Sequence, residues 1–352
     1  MIEIITLDNC SKWDELVKSF SNYDIYYLSG YVKAFYLNGD GNPILIHYEG
    51  DNTRAINVVM KRDISKIFSK NDDIEPETFF DLVTPYGYGG FIIEGCDTDN
   101  LFKEYEQFCS DNNIVSEFVR FHPQLFNWIP VSTLYNEIHL GETVYMDTSS
   151  EDIIWANITS KNRNVIRKAQ NNGLTVHWGR NDEIIDPFME IYNATMTKDD
   201  AEEYYFFKRP FYESIRNDLP ENALWGWVEK DGVIAAISIF LFSNERMHYH
   251  LSASRREYQT MAPTNLLLYE AALWACKNGY KTLHMGGGVG SGHDSLYKFK
   301  KAFNRGEDLE FHIGKRIYDI EMYKKLCDLK NIPYTEETLS DGYFPKYRLN
   351  DH

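Results

Sequence analysis

The side chains able to do chemistry cluster between Arg246 and Arg305. His248, His250 and Ser252 share one face of the segment Arg246–Ala253. Met247, Tyr249, Leu251 and Ala253 take the other, as a period of two requires. A neutral imidazole accepts a proton near working pH, so His248 and His250 are candidate bases for an attacking amine. The alternative is the polar outer face of a sheet. Downstream, the run Gly286-Gly287-Gly288-Val289-Gly290-Ser291-Gly292 follows His284 and Met285. It is neither a phosphate loop closed by Gly-Lys-Ser/Thr nor a Gly-x-Gly-x-x-Gly fingerprint. Its glycines permit close backbone approach to a ligand, with N–H groups at a helix start able to hold an anion; a merely flexible loop is the other reading. Lys300 comes next, beside Lys298 and Lys301 and off the apolar face marked by Leu296, Phe299 and Phe303.

Other candidates lie outside that stretch. Arg163 and Arg167, one helical turn apart, can grip a phosphate or simply charge a surface helix. Tyr86 and Tyr88 sit among Gly87, Gly89 and Gly90. They can stack on a sugar or base, or fill a tight aromatic turn. Tyr204 and Tyr205, with Phe206, line a cleft or pack a helix. Asp199, Asp200, Glu202 and Glu203 lack supporting histidines and read as a solvated loop, so no metal is expected.

The elements that position these groups are legible. Pro263 suits the first residue of a helix, Leu266, Leu267, Leu273 and Trp274 give it an apolar stripe, and Asn278-Gly279 ends it. A short strand at Lys281–Met285 follows, then the glycine run, then a helix. Upstream, Ile153–Asn171 reads as one helix, and Ala223–Lys230 and Val233–Ser243 as a hairpin about Asp231-Gly232. The order is α/β (α+β) with mixed, mostly antiparallel sheets flanked by helices. The expected division is 1–147, 148–317, and a C-terminal helix and tail at 318–352.

Composition bounds the partners. The chain has 352 residues and a formal net charge of −17, which argues against general affinity for DNA or other nucleic acid. The five scattered cysteines show no metal spacing and suit a reducing compartment. No apolar run reaches the ~20 residues of a membrane helix, and the expectation is a cytoplasmic protein.

Three stretches together carry a resemblance: Arg163-Asn164-Val165-Ile166-Arg167-Lys168-Ala169 with Gly173-Leu174, the segment Gly279–Gly287, and Tyr297-Lys298-Phe299-Lys300-Lys301-Ala302-Phe303. With Thr84–Gly90 in the first half, they resemble the FemABX-type transferases of the GNAT acyltransferase superfamily. The resemblance implies two tandem GNAT-like domains. It also implies transfer of an acyl group from acyl-CoA, or an aminoacyl group from aminoacyl-tRNA, onto an amine of a cell-envelope precursor. That acceptor would be a surface-sugar amine or a peptidoglycan muropeptide, a small molecule or sugar nucleotide. No tightly bound cofactor is implied. Lys300 would stabilise charge developing on the attacked carbonyl. Arg163, Arg167, Tyr86, Tyr88, Tyr204, Tyr205, Tyr249 and Phe299 would face substrate. Gly286, Gly287, Gly288, Gly290 and Ala262 would offer backbone to the donor. Ala262 stands where the superfamily places glycine, and the Thr195–Phe206 segment lacks the arginine of the bridge-forming enzymes. A non-catalytic binding module for a sugar nucleotide is the rival reading, since folds outlive their chemistry.

Overall fold

The computed structural model describes residues 1–68, 74–340 and 342–349. It divides into two compact units, one of residues 1–140 with 311–352 and the other of residues 141–310. The sequence places the divisions at 147/148 and 317/318, a few residues later at each. Among the described residues no helix is long and apolar enough to cross a membrane.

The first unit begins β1 (Ile2–Thr6), α1 (Cys10–Ser19), α2 (Ser29–Asn38), β2 (Asn42–Glu49), β3 (Thr53–Asp63), β4 (Phe80–Val83), β5 (Ile92–Gly95), α3 (Asp99–Asp111) and β6 (Ile114–Arg120). The chain leaves it through β7 (Asn136–Asp147) and returns through β13 (Leu309–Ile317) and α10 (Ile320–Leu329). The sheet pairs β1, β2, β3 and β4 antiparallel in that order, with β4 parallel to β6 and β6 antiparallel to β13. The return segment belongs here because its side chains are held here. Tyr323, Leu326, Cys327 and Tyr347 share a core with Ile64 and Val115. Buried Asp81 accepts from Arg62 Nε and Arg348 Nε, both at 2.6 Å. This explains the later boundary in the sequence reading: β13 follows the glycine-loop helix in sequence, yet it pairs with β6.

The second unit runs α4 (Glu151–Asn157), α5 (Ser160–Asn171), β8 (Thr175–Gly179), α6 (Ile185–Lys198), α7 (Arg209–Asp218), β9 (Ala223–Lys230), β10 (Val233–Ser243), β11 (Arg246–Ser254), α8 (Pro263–Lys277), β12 (Thr282–Gly286) and α9 (Ser295–Lys301). Strands β8 to β11 form an antiparallel meander, β12 joins parallel to β11, and β7 closes against β12 antiparallel. Leu266, Leu267, Ala271 and Ala275 bury α8 on this sheet, with Ile166 and Ala169 of α5 in the same core. The single helix expected over Ile153–Asn171 is two. Ile158 and Thr159 are extended, and Thr159 Oγ1 accepts from Asn162 N at 3.4 Å, capping α5 afresh.

Candidate functional site

The second unit's site starts where two parallel strands part. The pairing of β11 with β12 runs from Arg246↔Thr282 to His248↔His284 and stops, although β11 continues to Ser254. On the other edge of β11 the register with β10 steps between Ile239↔Leu251 and Phe240↔Tyr249, so His250 is the extra residue of a bulge. A bulge adds twist and bends its strand. Beyond His248 that edge of β11 therefore turns away from β12. The gap lies at the carboxyl ends of parallel strands joined by a crossover helix, the place where α/β sheets receive ligands.

The histidines gather at this fork. His248 and His284 are buried, with ring centroids 5.7 Å apart. His284 Nε2 shares a hydrogen bond with Thr143 Oγ1 at 2.9 Å. Burial pushes the His250 imidazole down to about 3, with His248 beside it adding to the effect. A base that weak holds no proton near neutrality, which suits His250 to hydrogen bonding rather than to proton abstraction. Tyr249 is half-buried, and its phenol hydrogen-bonds with Ser252 and Ser238, whose hydroxyls lie 2.9 Å apart. Burial raises its pKa and keeps it protonated.

The glycine run packs against itself. A Cβ on Gly288 would collide with the Gly292 carbonyl oxygen and with Asp294 Oδ1, and one on Gly287 would lie 2.8 Å from the Glu142 carbonyl oxygen. Gly286 and Gly290 have positive φ, 74° and 59°. Asp294 organises the turn. Its Oδ2 accepts from Val289 N at 3.0 Å, and its Oδ1 accepts from Tyr297 N at 2.8 Å, capping α9.

Lys300 closes the arrangement from α9. Expected off the apolar face, it is 8% exposed, and its Nζ donates to the Gly287 carbonyl oxygen at 2.6 Å. Burial lowers its pKa to about 8, against the pull of Asp294, which favours the charged form. An ammonium in so dry a place interacts strongly with nearby charge, and most such groups are cationic at neutral pH with this pKa. Phe299, its neighbour, packs on the core and meets Phe303 edge-on at 5.7 Å. Beneath the loop, the Tyr297 hydroxyl lies 2.6 Å from Asp308 Oδ2 and 3.1 Å from Glu142 Oε2, which also takes His293 Nε2 at 2.9 Å.

The remaining candidates are placed as follows. Ala262 is left-handed (φ 58°, ψ 48°) immediately before Pro263, the conformation that glycine supplies without strain. Arg163 and Arg167 lie over the Trp155 ring, 5.9 and 5.0 Å from its centroid, and Arg163 Nη1 donates to the Trp155 carbonyl at 3.1 Å. Tyr204 and Tyr205 sit in a short 3-10 helix, Tyr204 against buried Phe207. An open cleft of about 300 Å³ lies at the far end of β11, between Ile191, Thr195 and Lys198 of α6 and Ser254–Glu257. In the first unit, Tyr86 stacks on Phe35, and Tyr88 meets Tyr26 and Phe311 edge-on. Arg120 Nε donates to the Gly87 carbonyl at 3.0 Å, so that turn is built by packing within its own unit. The residues that sequence reasoning missed are Asp294, Glu142 and Thr143. Asp294 carried a signal, an Asp ahead of a helical run; the other two reach the loop only through the β7–β12 pairing.

Comparisons with known proteins agree with this fold. Residues 159–301 match the family model of the GNAT acetyltransferase domain. Among solved structures, FemX superposes with a TM-score of 0.66 at 14% identity, covering 92% of this chain and 98% of its own. L-PGS from Bacillus licheniformis gives 0.54 at 14%, covering 86% and 92%. The C-terminal domain of a putative lysylphosphatidylglycerol synthetase from Agrobacterium fabrum gives 0.56 at 12%, covering 88% and 91%. No curated protein matches the chain by sequence.

Proposed function

From a second unit that is a GNAT acyltransferase domain on a FemX-like fold, we propose that this chain moves an acyl or aminoacyl group from an activated ester or thioester onto an amine of a cell-envelope precursor. One observation carries the reading: Lys300, buried and cationic, held by the Gly287 carbonyl next to the fork of β11 and β12. In the reaction the amine nitrogen bonds to the donor carbonyl, a tetrahedral oxyanion forms, and the carbon–oxygen or carbon–sulfur bond to the carrier breaks. A positioned ammonium in a water-poor site stabilises that oxyanion, and such electrostatic help supplies much of the rate enhancement in many acyl transfers. The fork would take the donor, with its free strand edge offering backbone hydrogen bonds. The acceptor amine would come from the side of the cleft at the end of β11. His248 and His284 would orient groups at the fork. The solved relatives named for FemX and for lysylphosphatidylglycerol synthesis support an envelope acceptor for this chain.

The test is a transfer assay read by mass spectrometry. Purified protein is incubated with acetyl-CoA, longer acyl-CoAs or aminoacyl-tRNA, each against a muropeptide precursor and amino-sugar nucleotides. A new amide on one acceptor is expected, with ligand-dependent melting shifts that follow the productive pair. Turnover that leaves every amine unmodified, with the carrier released by hydrolysis alone, overturns the proposal.

A further inference from the structure

Beneath the glycine loop lies a polar network that the transfer reaction, as written above, does not use. The Tyr297 hydroxyl lies 2.6 Å from Asp308 Oδ2 and 3.1 Å from Glu142 Oε2. Lys301 Nζ is 2.9 Å from the same Asp308 oxygen, and His293 Nε2 is 2.9 Å from the same Glu142 oxygen. The His293 ring lies flat on the Tyr297 ring, with centroids 4.2 Å apart and planes 2° apart. Every donor thus comes from residues 293–301. Every acceptor comes from outside them, Glu142 from β7 and Asp308 from beyond the end of α9. The network therefore ties the loop and α9 to the rest of the unit. It does so at a cost. A single hydroxyl proton serves two carboxylates, and the buried Asp308 Oδ1 accepts no hydrogen bond among the described residues. Arrangements that cost stability persist where geometry serves a reaction.

The same residues frame Lys300. Tyr297 and Lys300 are one helical turn apart on α9 and both are buried, so they share a face. Lys300 Nζ reaches the Gly287 carbonyl, and a Cβ on Gly287 would lie 2.8 Å from the Glu142 carbonyl oxygen. Glu142 thus holds Tyr297 with its carboxylate and backs Gly287 with its main chain. One residue of β7 sets both the helix that carries the ammonium and the carbonyl that aims it. We infer that Glu142, Tyr297 and Asp308, with His293 and Lys301, are positioning residues for the acyl transfer: they clamp the glycine loop and α9 around Lys300, keeping its ammonium water-poor and aimed at the developing oxyanion. The inference rests on the transferase reading above. Besides the clamp's own groups, the titratable side chains on the loop, α9 and β12 are Asp294, Lys298 and His284, and the variants below leave all three in place. Burial, with Asp308 and Glu142 beside it, pushes the Tyr297 phenol up, so it stays protonated where Lys300 titrates. When the clamp opens, water reaches Lys300, and its pKa climbs from about 8 toward the ordinary value near 10.4.

The experiment reads each variant in two ways. Steady-state kinetics with the productive donor and acceptor give kcat, KM and the alkaline limb of the pH profile. Competitive labelling of the lysines with acetic anhydride, followed by peptide mass spectrometry from about pH 7 to 11, gives the Lys300 midpoint with no substrate present. Tyr297→Phe keeps the ring on His293 and removes the hydroxyl. Glu142→Ala removes the acceptor, and Glu142→Gln keeps an acceptor oxygen without the charge. Tyr297→Phe and Glu142→Ala should each lower kcat roughly 10–100-fold with KM nearly unchanged. Both should raise the Lys300 midpoint, and the alkaline limb with it, by about one pH unit or more. Glu142→Gln should keep kcat and midpoint close to the wild type. A folded Tyr297→Phe with wild-type kcat and midpoint overturns the inference. So does a Glu142→Gln midpoint displaced as far as that of Glu142→Ala, which would make Glu142 a charge partner of Lys300 rather than part of a clamp. Should Tyr297→Phe fail to fold, Glu142→Ala, at a partly exposed side chain, carries the same test. If the wild type forms amides and the midpoints do not move, this inference fails while the transferase reading stands. If the midpoints move as predicted and no amide forms, the transferase reading fails while the clamp stands.

Discussion

Lys300 should make the reaction fail at alkaline pH in a way that one substitution abolishes. Its pKa of about 8 leaves it cationic at neutrality, but only about a tenth of the molecules keep the proton at pH 9. If the charge stabilises the oxyanion, kcat/KM falls about tenfold per pH unit above about 8. The acceptor ammonium must lose its own proton to attack, which adds a rising limb, and the profile becomes a bell. Lys300→Arg keeps the charge throughout, since a guanidinium does not deprotonate in this range. Its activity is lower overall, because the fork is shaped for a single ammonium, but its falling limb disappears. The same group leaves a mark on stability. The folded pKa is below the value of about 10.4 in an unfolded chain, so between about 8 and 10.4 the unfolded state binds more protons and stability rises with pH. The full rise from this group is about 3 kcal/mol, and below about pH 8 it contributes no slope. Urea denaturation at pH 7.5 and 9.5 captures about 2 kcal/mol of that rise, with Lys300→Met as the reference that lacks it. An alkaline limb that persists unchanged in Lys300→Arg, or a wild-type profile flat to pH 10, refutes the electrostatic role.

Four further outcomes follow from packing and charge. Gly288→Ala forces a Cβ into the Gly292 carbonyl oxygen; it should cost roughly 1–3 kcal/mol in denaturant titrations and lower activity with it. Gly290→Ala meets no atom within 4 Å and bears only the cost of positive φ, about 1 kcal/mol, so activity measured below its melting temperature should be nearly retained. In the first unit, Asp81→Ala leaves buried Arg348 and half-buried Arg62 without their carboxylate and should destabilise by about 3–5 kcal/mol, read by chemical denaturation. Glu117 is buried with three tyrosine hydroxyls at 2.8–3.0 Å, and burial raises its pKa. Its share of stability is complete below the unfolded value near 4.5 and declines as pH rises through the folded pKa, so Glu117→Gln should flatten the stability–pH curve above pH 4.5.

What could be read from the sequence was local. The β11–α8–β12 crossover was legible because Pro263, the apolar stripe and Asn278-Gly279 are signals within one helix length. The break at Ile158-Thr159 was not, because the apolar periodicity runs through it and only the Thr159 cap marks it. Lys300 was singled out in the sequence by the resemblance, but it was placed off the apolar face beside two other lysines; its burial and its bond to the Gly287 carbonyl are tertiary facts. The glycines themselves suggested close approach to a ligand; in the fold Gly288 is pressed by the loop's own backbone and Gly287 by the Glu142 carbonyl of β7. Membership of β13 and the tail in the first unit depends on Asp81 meeting Arg348 across 267 residues, beyond any periodicity. Arg163 and Arg167 stood out in the sequence, but the hydrogen bonds that join the start of α5 to the end of α9, such as Thr159 N to the Ala302 carbonyl, needed the fold.

Whether the buried ammonium drives acyl transfer is decided by the steady-state rate of Lys300→Ala with the productive donor and acceptor, measured alongside its melting temperature. The expected result is a loss of roughly 10²–10³-fold in kcat at a melting temperature high enough to keep the protein folded in the assay. A folded Lys300→Ala that turns over at the wild-type rate would contradict the role assigned to this lysine.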